Sequence, residues 1–258
     1  MPYHYALRYF MMNGLELLFI TTVFTIASTV NMIAGFGFAL LATPMLMILL
    51  DPKATVLFIS AASLFLRLIM LADTFKDMQI KTVFICSVGV ILGAIPGSYI
   101  LKLVSNSHLK IILGLVLLAS VVLMFKKLRL PLQNFTLGRF ISGLLCGFSN
   151  ACTTIGAPFL AIWFVNEDLP PKNLRSNLTW IMTCSIAMTL LGSFFTGIIN
   201  VLHRPTDLLY CIPGIILGTF LGKRLLSRCD KETFGRIIQG VIVFGAVSSL
   251  AGGIKALL

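Results

Sequence analysis

The sequence predicts an all-α polytopic membrane protein of about eight transmembrane helices, arranged as two four-helix repeats that each begin with a broken or re-entrant helix. Three observations carry that expectation. Of 258 residues, 58% are hydrophobic and only 11% charged, against about 25% charged in a soluble domain. Apolar windows of roughly 20 residues, the length of one helical crossing, follow one another from Leu15 to Leu257, and no interval between them is long enough for a soluble domain. Finally, two stretches of one design recur: Asn31-Met-Ile-Ala-Gly35-Phe-Gly37-Phe-Ala-Leu-Leu-Ala-Thr43-Pro44, and Gly147-Phe-Ser149-Asn150-Ala-Cys152-Thr153-Thr154-Ile-Gly156-Ala-Pro158. Each puts helix breakers, small residues and hydroxyls at membrane depth. A backbone break survives there only against protein or a wet cavity.

Taken in order, residues 1–13 carry one charge, Arg8, before the first apolar run. Leu15 to Ile26 has the look of a signal-peptide core with Ala27-Ser28-Thr29 as a cleavage site, but the run continues to Leu50, about twice one crossing. Leu15 to Leu50 therefore reads as a helix interrupted near Asn31 to Gly37, either a spanning helix plus a half-helix or a re-entrant hairpin. Asp51-Pro52-Lys53 closes it. A second helix, from about Ala54 to Ala72, carries Ser60, Ser63 and Arg67 at i, i+3 and i+7, one polar stripe. A third, Thr82 to about Leu103, contains Gly89, Gly93 and Gly97, a small-residue spacing that lets helices approach closely in lipid. A fourth runs to Phe125.

The basic, proline-containing segment 126–139 divides a first repeat (1–125) from a second (140–258). There the pattern restarts. A broken stretch spans Phe140 to Val165, a helix follows from Asn173 to about Ile199, another holds Gly214, Gly218 and Gly222, and a last one ends near Leu257. The halves align through these glycine ladders, through Pro44 with Pro158, and through Pro52-Lys53 with Pro171-Lys172. Eight simple crossings leave Lys and Arg nearly equal on the two sides, so the positive-inside rule gives no orientation. An odd crossing count per half would make the repeats inverted instead of parallel.

The formal charge of +11 is accounted for by Lys and Arg in short loops, with an anionic partner as the alternative. No basic run interleaves with aromatics on a soluble face, which excludes nucleic acid. The six cysteines form no C-x-x-C pair and read as apolar packing residues, and His4, His108 and His203 are scattered. No metal or cofactor is indicated. The lipid bilayer is a partner, and a homo-oligomer stays open.

Gly35-Phe-Gly37-Phe-Ala-Leu-Leu-Ala-Thr-Pro44, followed by Asp51-Pro-Lys-Ala54, resembles the first-repeat signature of the sulfite exporter TauE/SafE permeases. Thr154-Ile-Gly156-Ala-Pro158-Phe resembles that family's Gly-Ile-Gly-Gly-Pro-Pro element, with Thr154 and Ala157 where glycines are usual and Phe38 in place of a further glycine in the first centre. The glycine ladders sit where the family has them, and the likeness covers nearly the whole chain. It implies a multi-pass permease of the plasma or inner membrane for a small anion: sulfite, sulfonates, sulfoacetate or related organosulfur compounds.

Anion binding inside a membrane needs donors without many fixed charges. Half-helix N-termini supply unpaired N–H groups and a partial positive charge worth ~1 kcal/mol each. The expected substrate-binding set is Asn31, Gly35, Gly37, Thr43 and Pro44 from the first break, and Asn150, Thr153, Thr154, Gly156 and Pro158 from the second. Ser60, Ser63 and Arg67 join it, with Arg175, Ser176 and Thr179 as the matching stripe of the second half. The bland alternatives are interhelical hydrogen bonding, worth about 0.6–2 kcal/mol, and snorkelling of Arg67 toward Asp73. If it does not snorkel, Arg67 guides anions at a pore mouth. No Asp or Glu falls mid-window, Glu16 lying near a helix end, so uniport, exchange or coupling through the substrate's own proton is expected. The rival readings are a channel for another small anion such as a carboxylate, a non-transporting structural protein, and an intramembrane enzyme, for which His, Asp and Glu are too sparse.

Overall fold

A computed structural model describes residues 14–126, 134–167, 169–201 and 207–225. The predicted last helix, Cys229, His203 and half of the basic linker (127–133) lie outside them. The described residues hold nine α-helices: α1 (Gly14–Ala34), α2 (Phe38–Leu46), α3 (Pro52–Thr74), α4 (Ile80–Leu103), α5 (Asn106–Lys126), α6 (Phe135–Thr153), α7 (Ala157–Asn166), α8 (Pro171–Phe195) and α9 (Asp207–Leu225). The stretches 14–33, 52–77, 80–103 and 172–195 are long and apolar enough to cross a membrane. Pro52 and Pro171 sit in the first turns of α3 and α8, where the missing N–H costs nothing.

Both predicted breaks are hairpin turns. The first lies at Gly35–Gly37, where Gly35 (φ 81°) and Gly37 (φ 115°) take the left-handed backbone. Phe24 and Phe38, fourteen residues apart, meet at a tilt with ring centroids 5.1 Å from one another, so α2 folds back along α1. At the second break, Thr154 (φ 65°) turns the chain so that α7 returns along α6. Glu167, just past α7, ties the two arms together, accepting from Arg139 Nε and Nη2 at 2.8 Å and from Trp163 Nε1. The rings of Phe135 and Trp163 meet edge to face nearby.

The starts of α1 and α3 and the end of α4 share what we call the lower end of the bundle, where Lys53 Nζ donates to Lys102 O at 3.0 Å. The end of α3 and the starts of α4 and α8 share the upper end. There Gln79 N donates to Asn177 Oδ1 at 2.9 Å and Ser176 donates to Thr74 O. Lys223, late in α9, pairs with Asp73 at the same end. The hairpin α1–α2 therefore enters from below and α6–α7 from above. Since neither hairpin changes side, the ends of α5 and α9 both lie at the upper end, whereas simple crossings would separate them.

The glycine ladders are seams across the halves. A Cβ on Gly89, Gly93 or Gly97 of α4 would fall on the backbone of Phe140, Leu144 or Phe148 of α6, and one on Gly143 or Gly147 of α6 on Cys86 or Val90. Gly214, Gly218 and Gly222 of α9 likewise press on Thr21, Thr25 and Met32 of α1. Each ladder thus packs on the entering arm of the opposite hairpin, helix backbones in contact, as small residues permit where lipid supplies no hydrophobic drive. Phe24, Phe38, Phe58 and Leu66 are buried around the first hairpin; Leu160, Trp163, Leu178 and Ile181 around the second. Large apolar side chains such as Phe84 and Phe195 lie on the outside, where lipid is the natural neighbour.

Candidate functional site

The two hairpin turns are built alike. In each, an asparagine one helical turn before the break accepts on its backbone carbonyl from the residue in left-handed backbone: Gly35 N to Asn31 O at 2.8 Å, Thr154 N to Asn150 O at 2.7 Å. Each asparagine amide then reaches a partner 39 residues further on, Met70 Sδ for Asn31 and Thr189 Oγ1 for Asn150, at 3.2 Å in both. Asn31 and Asn150, Gly35 and Thr154, Gly37 and Gly156, and Pro52 and Pro171 are all related by one offset. Pro44 and Pro158 do not obey it. Pro44 lies well inside α2, while Pro158 sits in the first turn of α7, so that pairing from the sequence is corrected.

The turns face one another inside the bundle. Thr43 Oγ1 and Thr154 Oγ1 are 3.0 Å apart, and both residues are buried. Beside them is a cavity of about 20 Å³ lined by Gly37 to Leu40 at the start of α2, by Thr154 to Pro158 at the start of α7, and by Ser60, Ser63, Arg67, Asn150, Met182 and Ile186. Two half-helix N-termini thus converge on it from opposite directions, each with first-turn N–H groups that the helix itself cannot pair. A space of that size holds about one water.

Arg67 is the charge at this cavity. It is 4% exposed, donating through Nη1 to Gly35 O at 3.2 Å and through Nη2 to Asn31 Oδ1 at 3.4 Å. Snorkelling and the pore-mouth position are both corrected. The side chain turns inward because the C-terminal carbonyls of α1 and the Asn31 amide offer it acceptors there, while Asp73 pairs with Lys223. No carboxylate among the described residues pairs with Arg67. The dipole at the end of α1 offsets only about half a charge. Two of its five guanidinium donors are spent on those bonds, and the rest stay available. Ser60 Oγ and Asn150 Oδ1 are buried without a partner.

The predicted residues fall into three groups. Gly37, Ser60, Ser63, Arg67, Asn150, Thr154, Gly156 and Pro158 line the cavity. Asn31, Gly35, Thr43 and Thr153 stand behind it: the first two hold Arg67, Thr43 meets Thr154, and Thr153 caps the turn by donating to Ser149 O and accepting from Ile155 N. Arg175, Ser176 and Thr179 lie elsewhere, and Pro44, inside α2, does not line the cavity. Ser176 donates to Thr74 O and Thr179 to Arg175 O. By the shared offset the counterparts of Ser63 and Arg67 are Met182 and Ile186, so the stripe of the second half does not mirror the first. The cavity is polar toward α3 and apolar toward α8. Reading that offset from the paired Asn31 and Asn150 would have found Thr189, Met182 and Ile186.

A larger cavity of about 310 Å³ opens at the upper end among Met32, Asp73, Thr74, Asp77, Lys172, Arg175, Ser176 and Lys223. Arg175 lies against Gly35, its Cγ 3.1 Å from where a Cβ would stand, and Arg67 binds the same residue's carbonyl. One hairpin turn therefore separates the two arginines, and with them the two cavities.

Against known proteins, the family model described as sulfite exporter TauE/SafE matches residues 20–249. No curated relative and no solved structure matches the chain.

Proposed function

The chain belongs to the sulfite exporter TauE/SafE family, and from that premise we propose that it is a permease carrying a small sulfur-containing oxyanion through the cavity between its two hairpin turns. The observation that carries this reading is Arg67. An almost fully buried cation that meets no carboxylate among the described residues is costly in a membrane interior unless a charge of opposite sign joins it. Two helix N-termini, Ser60 and Ser63 surround the same space, all suited to oxyanion oxygens. The ligand is the missing counter-charge.

The opposed hairpins support a finer architecture: two inverted repeats, 1–125 and 140–258, each a re-entrant hairpin followed by three crossings, the last of them outside the described residues. That topology gives the orientation a basis. Lys76, Lys81, Lys126, Arg139, Lys172, Arg175, Lys223 and Arg224 gather at the upper end against Lys53, Lys102 and Lys110 at the lower. The positive-inside rule then sets the upper end, with its basic vestibule, toward the cytoplasm of a plasma or inner membrane. Anions collect in the vestibule and pass Gly35 to reach Arg67. Since the inner cavity has room for about one water, the turns must part to admit an oxyanion, and this conformation is the closed one.

The test is solute flux in proteoliposomes over sulfite, thiosulfate, methanesulfonate and acetate, for wild type and Arg67→Gln. Arginine-dependent flux of the sulfur anions supports the proposal. Flux of acetate alone would favour the carboxylate channel, and no flux of any anion would favour a structural protein.

A further inference from the structure

Asn150 carries an inference about which form of the anion is taken, resting on the site just proposed. Its side-chain amide is oriented by its neighbours. Thr189 Oγ1 donates its proton to Ser185 O at 2.9 Å, so toward Asn150 it can only accept, which places Nδ2 against Thr189 at 3.2 Å and leaves Oδ1 on the other side. Asn150 is 0% exposed, lines the inner cavity, and its Oδ1 has no partner. The equivalent oxygen of the first hairpin, Asn31 Oδ1, accepts from Arg67. The residue that would do the same for Asn150 is Ile186, which has no donor. A buried amide oxygen left without a donor costs most of its desolvation free energy.

We propose that the site takes a singly charged oxyanion that itself carries a hydrogen-bond donor, and that Asn150 Oδ1 reads that donor. Two features converge on this class. Arg67 is the one titratable side chain among the residues lining the cavity, so it neutralises one negative charge; a dianion would bring a second into a space with no further cation. Ser60, the free guanidinium N–H groups and the helix N-termini donate to the anion's oxygens, while Asn150 Oδ1 accepts. Sulfite enters as hydrogen sulfite, its proton pointing at Asn150. The proton crosses with its anion, and no carboxylate relay is needed along the path.

The experiment compares hydrogen sulfite with methanesulfonate, monoanions of similar size of which only the first has a proton to donate, in proteoliposomes at a mildly acidic pH where sulfite is singly protonated. Hydroxymethanesulfonate and ethanesulfonate repeat the comparison. Wild type should move the donor-bearing member of each pair roughly 5- to 150-fold faster, the spread expected for leaving one buried acceptor unpaired. Asn150→Leu, which removes the acceptor, should bring both ratios close to one, chiefly by slowing the donor-bearing anion. The wild-type ratios stand as a test even if that variant fails to fold. Ratios within twofold in wild type, or kept by Asn150→Leu, overturn the proposal. If the ratios are near one while Arg67→Gln still abolishes flux, the anion site survives and the donor rule alone falls. If Arg67→Gln is silent, both fall.

Discussion

Replacing Arg67 by glutamine separates a buried anion site from a charged pore mouth. Arg67→Gln keeps a polar, if shorter, side chain but removes the charge and most of the donors. Arg67 is 4% exposed and its guanidinium lies between Gly35 O and the cavity, so the anion meets it at contact distance with little water between. One charge-assisted hydrogen bond to such a ligand is worth about 1.5–3 kcal/mol. The Coulomb attraction of unit charges about 4 Å apart at an effective dielectric of 20 is about 4 kcal/mol. Those figures bracket a loss of about 10- to 1000-fold in uptake at subsaturating anion, at about 1.4 kcal/mol per tenfold. Salt distinguishes the two readings. A cation at a mouth acts through a field that 0.5 M salt largely screens, whereas a desolvated pair is screened much less. We expect the deficit to persist within about threefold between 0.05 and 0.5 M of a non-transported salt, the range over which a mouth charge fades. Arg67→Lys, keeping charge but not the fork, should fall between wild type and glutamine. The assay is initial-rate anion uptake into proteoliposomes, with thermal stability in detergent checked in parallel because Arg67 also closes the end of α1. A loss under fivefold, or one that vanishes in high salt, would refute the argument.

Three further outcomes follow from the same packing. Gly93→Leu and Gly218→Leu should lower folded yield in detergent at least fivefold, since even a Cβ at either would strike the backbone of Leu144 or Thr25 and overpacking costs about 1–3 kcal/mol or more; Gly14→Leu, with nothing within 4 Å of its Cβ, should not, and equal yields for all three would show that the ladders are not seams. With Thr43 and Thr154 hydroxyls 3.0 Å apart, a Thr43→Cys/Thr154→Cys pair in a background free of other cysteines should cross-link on mild oxidation and stop flux reversibly; a cross-linked protein that transports normally means the turns need not part. Lys223→Gln, a half-exposed residue paired with Asp73, should lower uptake only about two- to fivefold at low salt and not at all at high salt, and a large salt-independent loss would place the vestibule lysine in the binding site itself.

The hairpin turns were the part of the site legible in the sequence. Gly35 and Gly37 mark the first because a break in an apolar window needs residues that tolerate left-handed backbone, Gly156 marks the second because a Cβ there would strike Cys146 O, and Asn31 and Asn150 stand out as amides where apolar side chains are expected. Thr154 was read as a donor, but its left-handed backbone, which a β-branched residue adopts only under strain, is a tertiary feature: the turn takes glycine in one half and threonine in the other. The stripe of Ser176 and Thr179 misled because helical spacing says which residues share a face, not which neighbour that face meets. Those hydroxyls satisfy backbone carbonyls of Thr74 and Arg175.

What the sequence determined by itself is therefore the solvent and the joints: long apolar windows require a lipid surroundings, glycine ladders require close helix pairs, and paired breaks require cavities or protein contact, since each follows from hydrogen bonding and size along a single stretch of chain. Direction and partnership, by contrast, were set by contacts between distant parts of the chain. Whether a broken helix crosses or turns back depends on what packs against it, and with both hairpins turning back from opposite ends most of the basic residues among the described ones fall at one end. Whether Arg67 snorkels or turns inward depends on which acceptors come within reach, and Gly35 O and Asn31 Oδ1 lie more than thirty residues away in the chain. A long side chain follows its nearest acceptors, and no local pattern names them.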